Sequence, residues 1–181
     1  MKTIYCSLVF SFFVFLSSSS FAQEQRFGPT IGLSYFTTHD QHSGALLTVE
    51  SFLNDHIFFT YALGASQSHY FKWEYIINWD VGYRFKLKNG YRPDIRIGFG
   101  NLLGYYKGEM KTSKGEILEY DDIETFLTTN IKLGLLNLDL YPKHQIPIQF
   151  IGNIGVRGQF PIETDVKWHL TFELGVGYHL K

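Results

Sequence analysis

Cysteine is all but missing. The single one in 181 residues, Cys6, lies close to the start. Disulfides and thiolate metal sites are therefore excluded from the rest of the chain. Charge is scarce as well: charged residues make up 18%, with a formal balance of −1. A nucleic-acid binder would show a basic excess. A disordered chain would carry more charge and fewer aromatics. Too little Ala, Glu and Lys is present for a coiled coil. What the chain does have is 17 glycines, 12 tyrosines and 17 phenylalanines. Its length suits one domain with a real core and is short for two.

Residues 1–22 read as a signal peptide. Lys2 supplies the positive start, and Ile4 to Leu16 is an apolar run of 13 residues. Such a run rises about 20 Å as a helix, short of the roughly 30 Å needed to span a bilayer. Ser20 and Ala22 place small residues before a cleavage site at Gln23. Cys6 is too near the start to be a lipoprotein acceptor. Removing Lys2 leaves 15 basic and 17 acidic residues, a mature charge of −2. Residues 23–181 show no internal repeat or linker and read as one domain.

A two-residue period runs through that domain. From 168 to 180, Trp168, Leu170, Phe172, Leu174, Val176, Tyr178 and Leu180 share one face. His169, Thr171, Glu173, Gly175, Gly177 and His179 share the other. Residues 72–86 repeat the pattern, with Trp73, Tyr75, Ile77, Trp79, Val81, Tyr83 and Phe85 together. A strand separates such residues and a helix would scatter them. Weaker alternation predicts strands over 29–38, 44–53, 56–66, 92–106, 125–138 and 146–160. The total is eight, an even number that allows an antiparallel sheet to close. Tight links are expected at 54–55, 88–90 and 139–145. The opposite end carries 39–43, 66–71, 107–124 and 161–166. Short turns at one end and longer loops at the other are the pattern of an outer-membrane barrel.

A soluble lipocalin-like barrel alternates too, with its apolar face inward. Three features favour the membrane. The longer predicted strands, at about 15 residues, exceed the 9–11 residues a tilted span needs. The polar face is rich in glycine, which on a wetted strand would only weaken it. Aromatics gather near strand ends, where interfacial girdles form: Trp73, Tyr75 and Trp168 toward the outer rim, Tyr83, Phe85 and Tyr178 toward the inner one. The predicted fold is all-β, an eight-stranded antiparallel up-and-down transmembrane β-barrel.

The chain end Phe172-Glu173-Leu174-Gly175-Val176-Gly177-Tyr178-His179-Leu180-Lys181 resembles the terminal strand signal of outer-membrane β-barrels. One departure is Lys181 after Leu180, where an aromatic residue usually ends the chain. The Gly-x-Gly-Tyr ending is similar to small barrels of the Bacteroidota, and the whole mature chain resembles the OmpX and OmpA-barrel class. The resemblance implies an outer-membrane location, contact with lipid and lipopolysaccharide, and handling by the barrel assembly machinery during insertion. Other outer-membrane proteins are candidate partners.

If the apolar face meets lipid, the polar face fills the lumen. Glu50, Glu74, Asp80, Asp94 and Glu173 then lie inside with Lys72, Arg84, Lys86, Arg96, Lys132 and Arg157. Eight strands leave room only for side chains, and buried charges persist when paired. A mixed-sign network is expected around Glu50, Asp80, Arg96, Lys132 and Glu173. A turn pairing 87 with 91 would set Arg84 opposite Asp94.

Other chemistry has weaker support. His39, His42, His69 and His169 gather near the outer rim and with Asp40 are candidate zinc or copper ligands, although their spacing matches no ligand motif. Lipid A hydrolysis would need a serine beside a histidine and an acid. His42-Ser43 and Ser68-His69 are adjacent, so on a strand they point apart. Residues 98–104 lack both the spacing and the following helix of a dinucleotide loop. The loop 107–124 holds Glu119, Asp121 and Asp122, without the spacing of an EF-hand. The expected function is a structural or interaction role, with a closed lumen, no cofactor and no nucleic acid. The alternatives are a lipid A-modifying enzyme and a soluble binding barrel.

Overall fold

The computed structural model describes residues 28–39, 42–68, 72–87, 90–111, 117–140, 146–160 and 166–180, with side chains left aside over 106–121. The strands are β1 (Thr30–Thr38), β2 (Ser43–Phe52), β3 (Ile57–Gln67), β4 (Trp73–Arg84), β5 (Asp94–Lys111), β6 (Ile117–Gly134), β7 (Leu138–Asp139), β8 (Ile148–Phe160) and β9 (Lys167–His179). Each long strand pairs antiparallel with its neighbour in sequence. β1 pairs with β9, and β6 pairs with β8 past the two-residue β7. Those last pairings close eight long strands into a barrel without a free edge, which a backbone crossing hydrocarbon requires.

The side chains are inverted relative to a soluble protein. Among the described residues 25 buried side chains are polar or charged and seven are apolar. Leu33, Ile97, Phe99 and Leu174, by contrast, are all more than half exposed on the outer wall. A lipocalin-like barrel would show the reverse, so the apolar face is the lipid face of a transmembrane barrel.

Glycine on the inner face makes room for a neighbour on the next strand. A Cβ on Gly98 would collide with the Asp80 carboxylate, and one on Gly82 with the Phe58 ring. Gly90 meets a different demand. Its φ of 80° suits the turn before β5, where Leu87 N–H donates to Tyr91 carbonyl at 3.2 Å.

Three expectations need correction. Residues 107–124 are largely not a loop: β5 runs to Lys111 and β6 starts at Ile117, paired throughout. The strand expected over 125–138 ends at Gly134. The chain then bends, and Asn137 and Asp139 turn into the barrel mouth, 0% and 2% exposed. Lys72 and Lys86 lie outside the lumen. Lys72 precedes β4 and is exposed, and Lys86, past the end of β4, pairs with exposed Asp55 at 2.9 Å.

Candidate functional site: a filled lumen

The inner face is stacked in layers. Nearest the end where Gly28 N–H meets Leu180 carbonyl at 2.8 Å, Asp139 contacts Arg92 at 2.9 Å and His179 at 3.2 Å. His179 Nδ1 also shares a 2.7 Å hydrogen bond with Thr30. Above them, Glu50 accepts two bonds of 2.6 Å from Arg84. Arg84 reaches Asp94 at 3.1 Å, and Asp94 accepts from Arg96 at 2.8 and 2.9 Å. Register sets Arg84 directly opposite Asp94. The Phe58 ring centroid lies 4.4 Å from the Arg84 guanidinium and 5.0 Å from that of Arg96.

Farther along, Lys132 reaches Asp80 at 3.1 Å and Glu173 at 3.9 Å. Ser34 and Asn153 donate to Glu173 at 2.7 and 3.0 Å. Of the eleven charged residues placed inside from sequence, four form the Glu50–Arg84–Asp94–Arg96 group and three the Asp80–Lys132–Glu173 group. Arg157 is buried as well, 5.9 Å from the Phe36 ring and in register with Asn130 and His169. An apolar layer of Phe36, Leu46, Ile76, Leu102 and Phe126 follows.

The far mouth carries imidazoles. His42 Nδ1 pairs with Glu74 at 2.9 Å, and Ser66 donates to the same carboxylate at 2.6 Å. The His42 and His169 rings lie 5.3 Å apart, those of His39 and His169 6.4 Å. His39 Nδ1 accepts from Leu170 N–H at 3.2 Å, which commits that lone pair. His69 lies outside the described residues. Among the described residues no group of three or more such side chains is arranged to hold a metal ion.

Sequence reading overlooked Asn137, Asp139, His179 and Arg92. Asn137 Nδ2 donates to Asp94 at 2.7 Å, and its Oδ1 accepts from Gly152 N–H at 3.0 Å. Asp139 fell in an expected link, Asn137 and Arg92 at the ends of expected strands, and His179 on the polar face of the last one, with polar character their only signal. The six girdle aromatics all face outward: Trp73, Tyr75 and Trp168 toward the far mouth, Tyr83, Phe85 and Tyr178 toward the chain ends. Tyr83 stacks on His56 at 5.3 Å and meets Phe85 edge-on at 5.1 Å.

No protein family and no curated protein matches the chain. Solved structures do. The N-terminal β-barrel domain of Pseudomonas aeruginosa OprF shares 14% identity and a TM-score of 0.51, over 86% of this chain and all of that one. Neisserial surface protein A shares 10% identity and a TM-score of 0.51, over 84% of this chain and 95% of its own. The chain has the fold of the small eight-stranded outer-membrane β-barrels. A de novo designed transmembrane β-barrel matches equally well, at 13% identity and a TM-score of 0.52 over 87% of this chain and 99% of that one. A fold met both in natural surface proteins and in a design specifies no activity. Within this barrel, what differs from a bare scaffold is the lumen packing and the long β5–β6 hairpin.

Proposed function

We propose that the chain is exported, loses residues 1–22, and resides in a bacterial outer membrane as a closed-lumen barrel with an interaction role. The chain ends and the short turns then face the periplasm, and the β5–β6 hairpin faces outward. The observation that carries the interaction role is the pairing of that hairpin. β4 accompanies β5 only as far as Tyr105, and β8 accompanies β6 only from Leu127 onward. Among the described residues, therefore, each strand has a partner on one side alone over 106–111 and 117–126. An unpaired edge is a template for strand addition by another chain. From Lys107 to Glu124 the sequence has six acids and three bases, which favours a basic partner segment.

Binding fits the site better than catalysis. The Ser66 hydroxyl and His42 Nδ1 both address Glu74, so no proton path runs from serine to imidazole. A pore is disfavoured by the two ionic groups and the apolar layer between them and the far mouth.

The test is a mild-detergent pull-down with mass spectrometry, run on the full chain and on a variant in which 108–119 is replaced by a tight turn. Partners lost with the hairpin, while heat-modifiable gel migration persists, support the reading. An identical partner set with and without the hairpin overturns it. Recovery of the protein in the periplasmic rather than the outer-membrane fraction overturns the location.

A further inference from the structure

The middle of the lumen contains a cavity whose space for water centres is about 20 Å³. Asn130, Asn153, Lys132, Arg157 and Glu173 line it, and the apolar layer roofs it. Asn130 is 2% exposed, and among the described residues neither its Oδ1 nor its Nδ2 has a hydrogen-bond partner. Asn153 gives its Nδ2 to Glu173, but its Oδ1 is likewise unpartnered. A buried carboxamide without partners is unfavourable, and proteins commonly satisfy such groups with internal water.

The guest can be narrowed. A site needs about 10–15 Å³ on this measure for each water, so the cavity takes one or two and excludes an organic ligand. Lys132 and Arg157 balance Glu173 and the Asp80 carboxylate that Lys132 contacts at 3.1 Å. A further ion would upset that balance, whereas a neutral molecule that both donates and accepts suits both ends of Asn130. We propose that this cavity is a water-binding site, with one or two waters held by the Asn130 carboxamide and Asn153 Oδ1. The apolar roof of Phe36, Leu46 and Ile76 bounds it on one side.

The experiment is nuclear magnetic resonance of the mature chain in nanodiscs, reading water cross-relaxation at side-chain amides. Expected are cross-peaks from long-residence water at the Asn130 and Asn153 amides, with the Asn130 peaks insensitive to exchanging sodium for potassium. Asn130→Leu, checked for heat-modifiable migration, should weaken the peak at Asn153. If that variant does not fold, the wild-type spectrum decides alone. A dry Asn130 amide, in a sample where amides at the mouths do contact water, overturns the proposal. So does a shift of its resonance that follows the identity of the cation.

Discussion

Arg84 Nη1 and Nη2 each meet one oxygen of Glu50 at 2.6 Å, while the guanidinium lies 4.4 Å from the centroid of Phe58. The group is thus held by a fork and by a ring face together, and lysine cannot reproduce the fork. Glu50→Ala leaves two guanidinium groups facing Asp94 alone. Breaking a buried pair in this way costs about 3–5 kcal/mol. Urea unfolding from liposomes should show a loss of that order for Glu50→Ala. Arg84→Lys should be destabilised less, and both should fall well below the wild-type transition.

The lipid wall gives a second prediction. Leu174 is 63% exposed on the outer face of β9, within the fully paired barrel. Ile123 is 66% exposed but lies on β6 beyond the last residue paired with β8. Arginine at the bilayer midplane of a barrel costs about 2–4 kcal/mol, falling toward zero near the interface. Leu174→Arg should therefore lower folding stability in liposomes markedly, and Ile123→Arg should leave it close to wild type. Equal effects would move the membrane boundary assigned here.

Gly98 gives a third. Its missing side chain is the space that the Asp80 carboxylate fills on its way to Lys132. Gly98→Ala should displace Asp80 and cost about 1–3 kcal/mol, as overpacking does. Gly98→Ala combined with Asp80→Ala should cost less than the sum of the two single changes, because the clash with the carboxylate is then absent. The readout is the temperature at which the fast-migrating gel form disappears.

The exposed pair Lys86–Asp55 should behave differently. Lys86 holds the Asp55 carboxyl below the usual carboxylate range, first through its hydrogen bond and then through its charge. A depressed carboxyl contributes stability above its unfolded pKa and loses it as pH falls through the folded value. The pair is open to solvent and screened. Asp55→Asn should therefore leave the unfolding transition unchanged at neutral pH, and its acid side should overlay that of wild type.

Much of this architecture is legible in the sequence because the two faces of a strand must differ when one meets lipid and the other a packed lumen. Trp73 to Phe85 and Trp168 to Leu180 state that difference residue by residue. The same rule misleads past strand ends. Lys86 keeps the alternating phase of β4, yet β4 stops at Arg84 and the phase loses its meaning. The hairpin was hidden for a related reason. Outside hydrocarbon a strand has no apolar face to display, so Lys107 to Glu124 reads as a charged loop although the backbone of 107–111 stays paired with that of 117–121. Asn137 was hidden because its importance comes from what barrel closure sets beside it. Asp94 lies 43 positions away and Gly152 15.

That amide has one more consequence. β6 and β8 form a seam that closes the barrel across β7, and a slip of one residue there would turn every side chain to the opposite face. Asn137 sits in the short tether between them, with one end fixed to β5 through Asp94 and the other to β8 through Gly152. Only one alignment of the seam lets both ends bind at once. The tether therefore works as a latch that keys β8 to β5, and a ring of eight strands has a single way to shut.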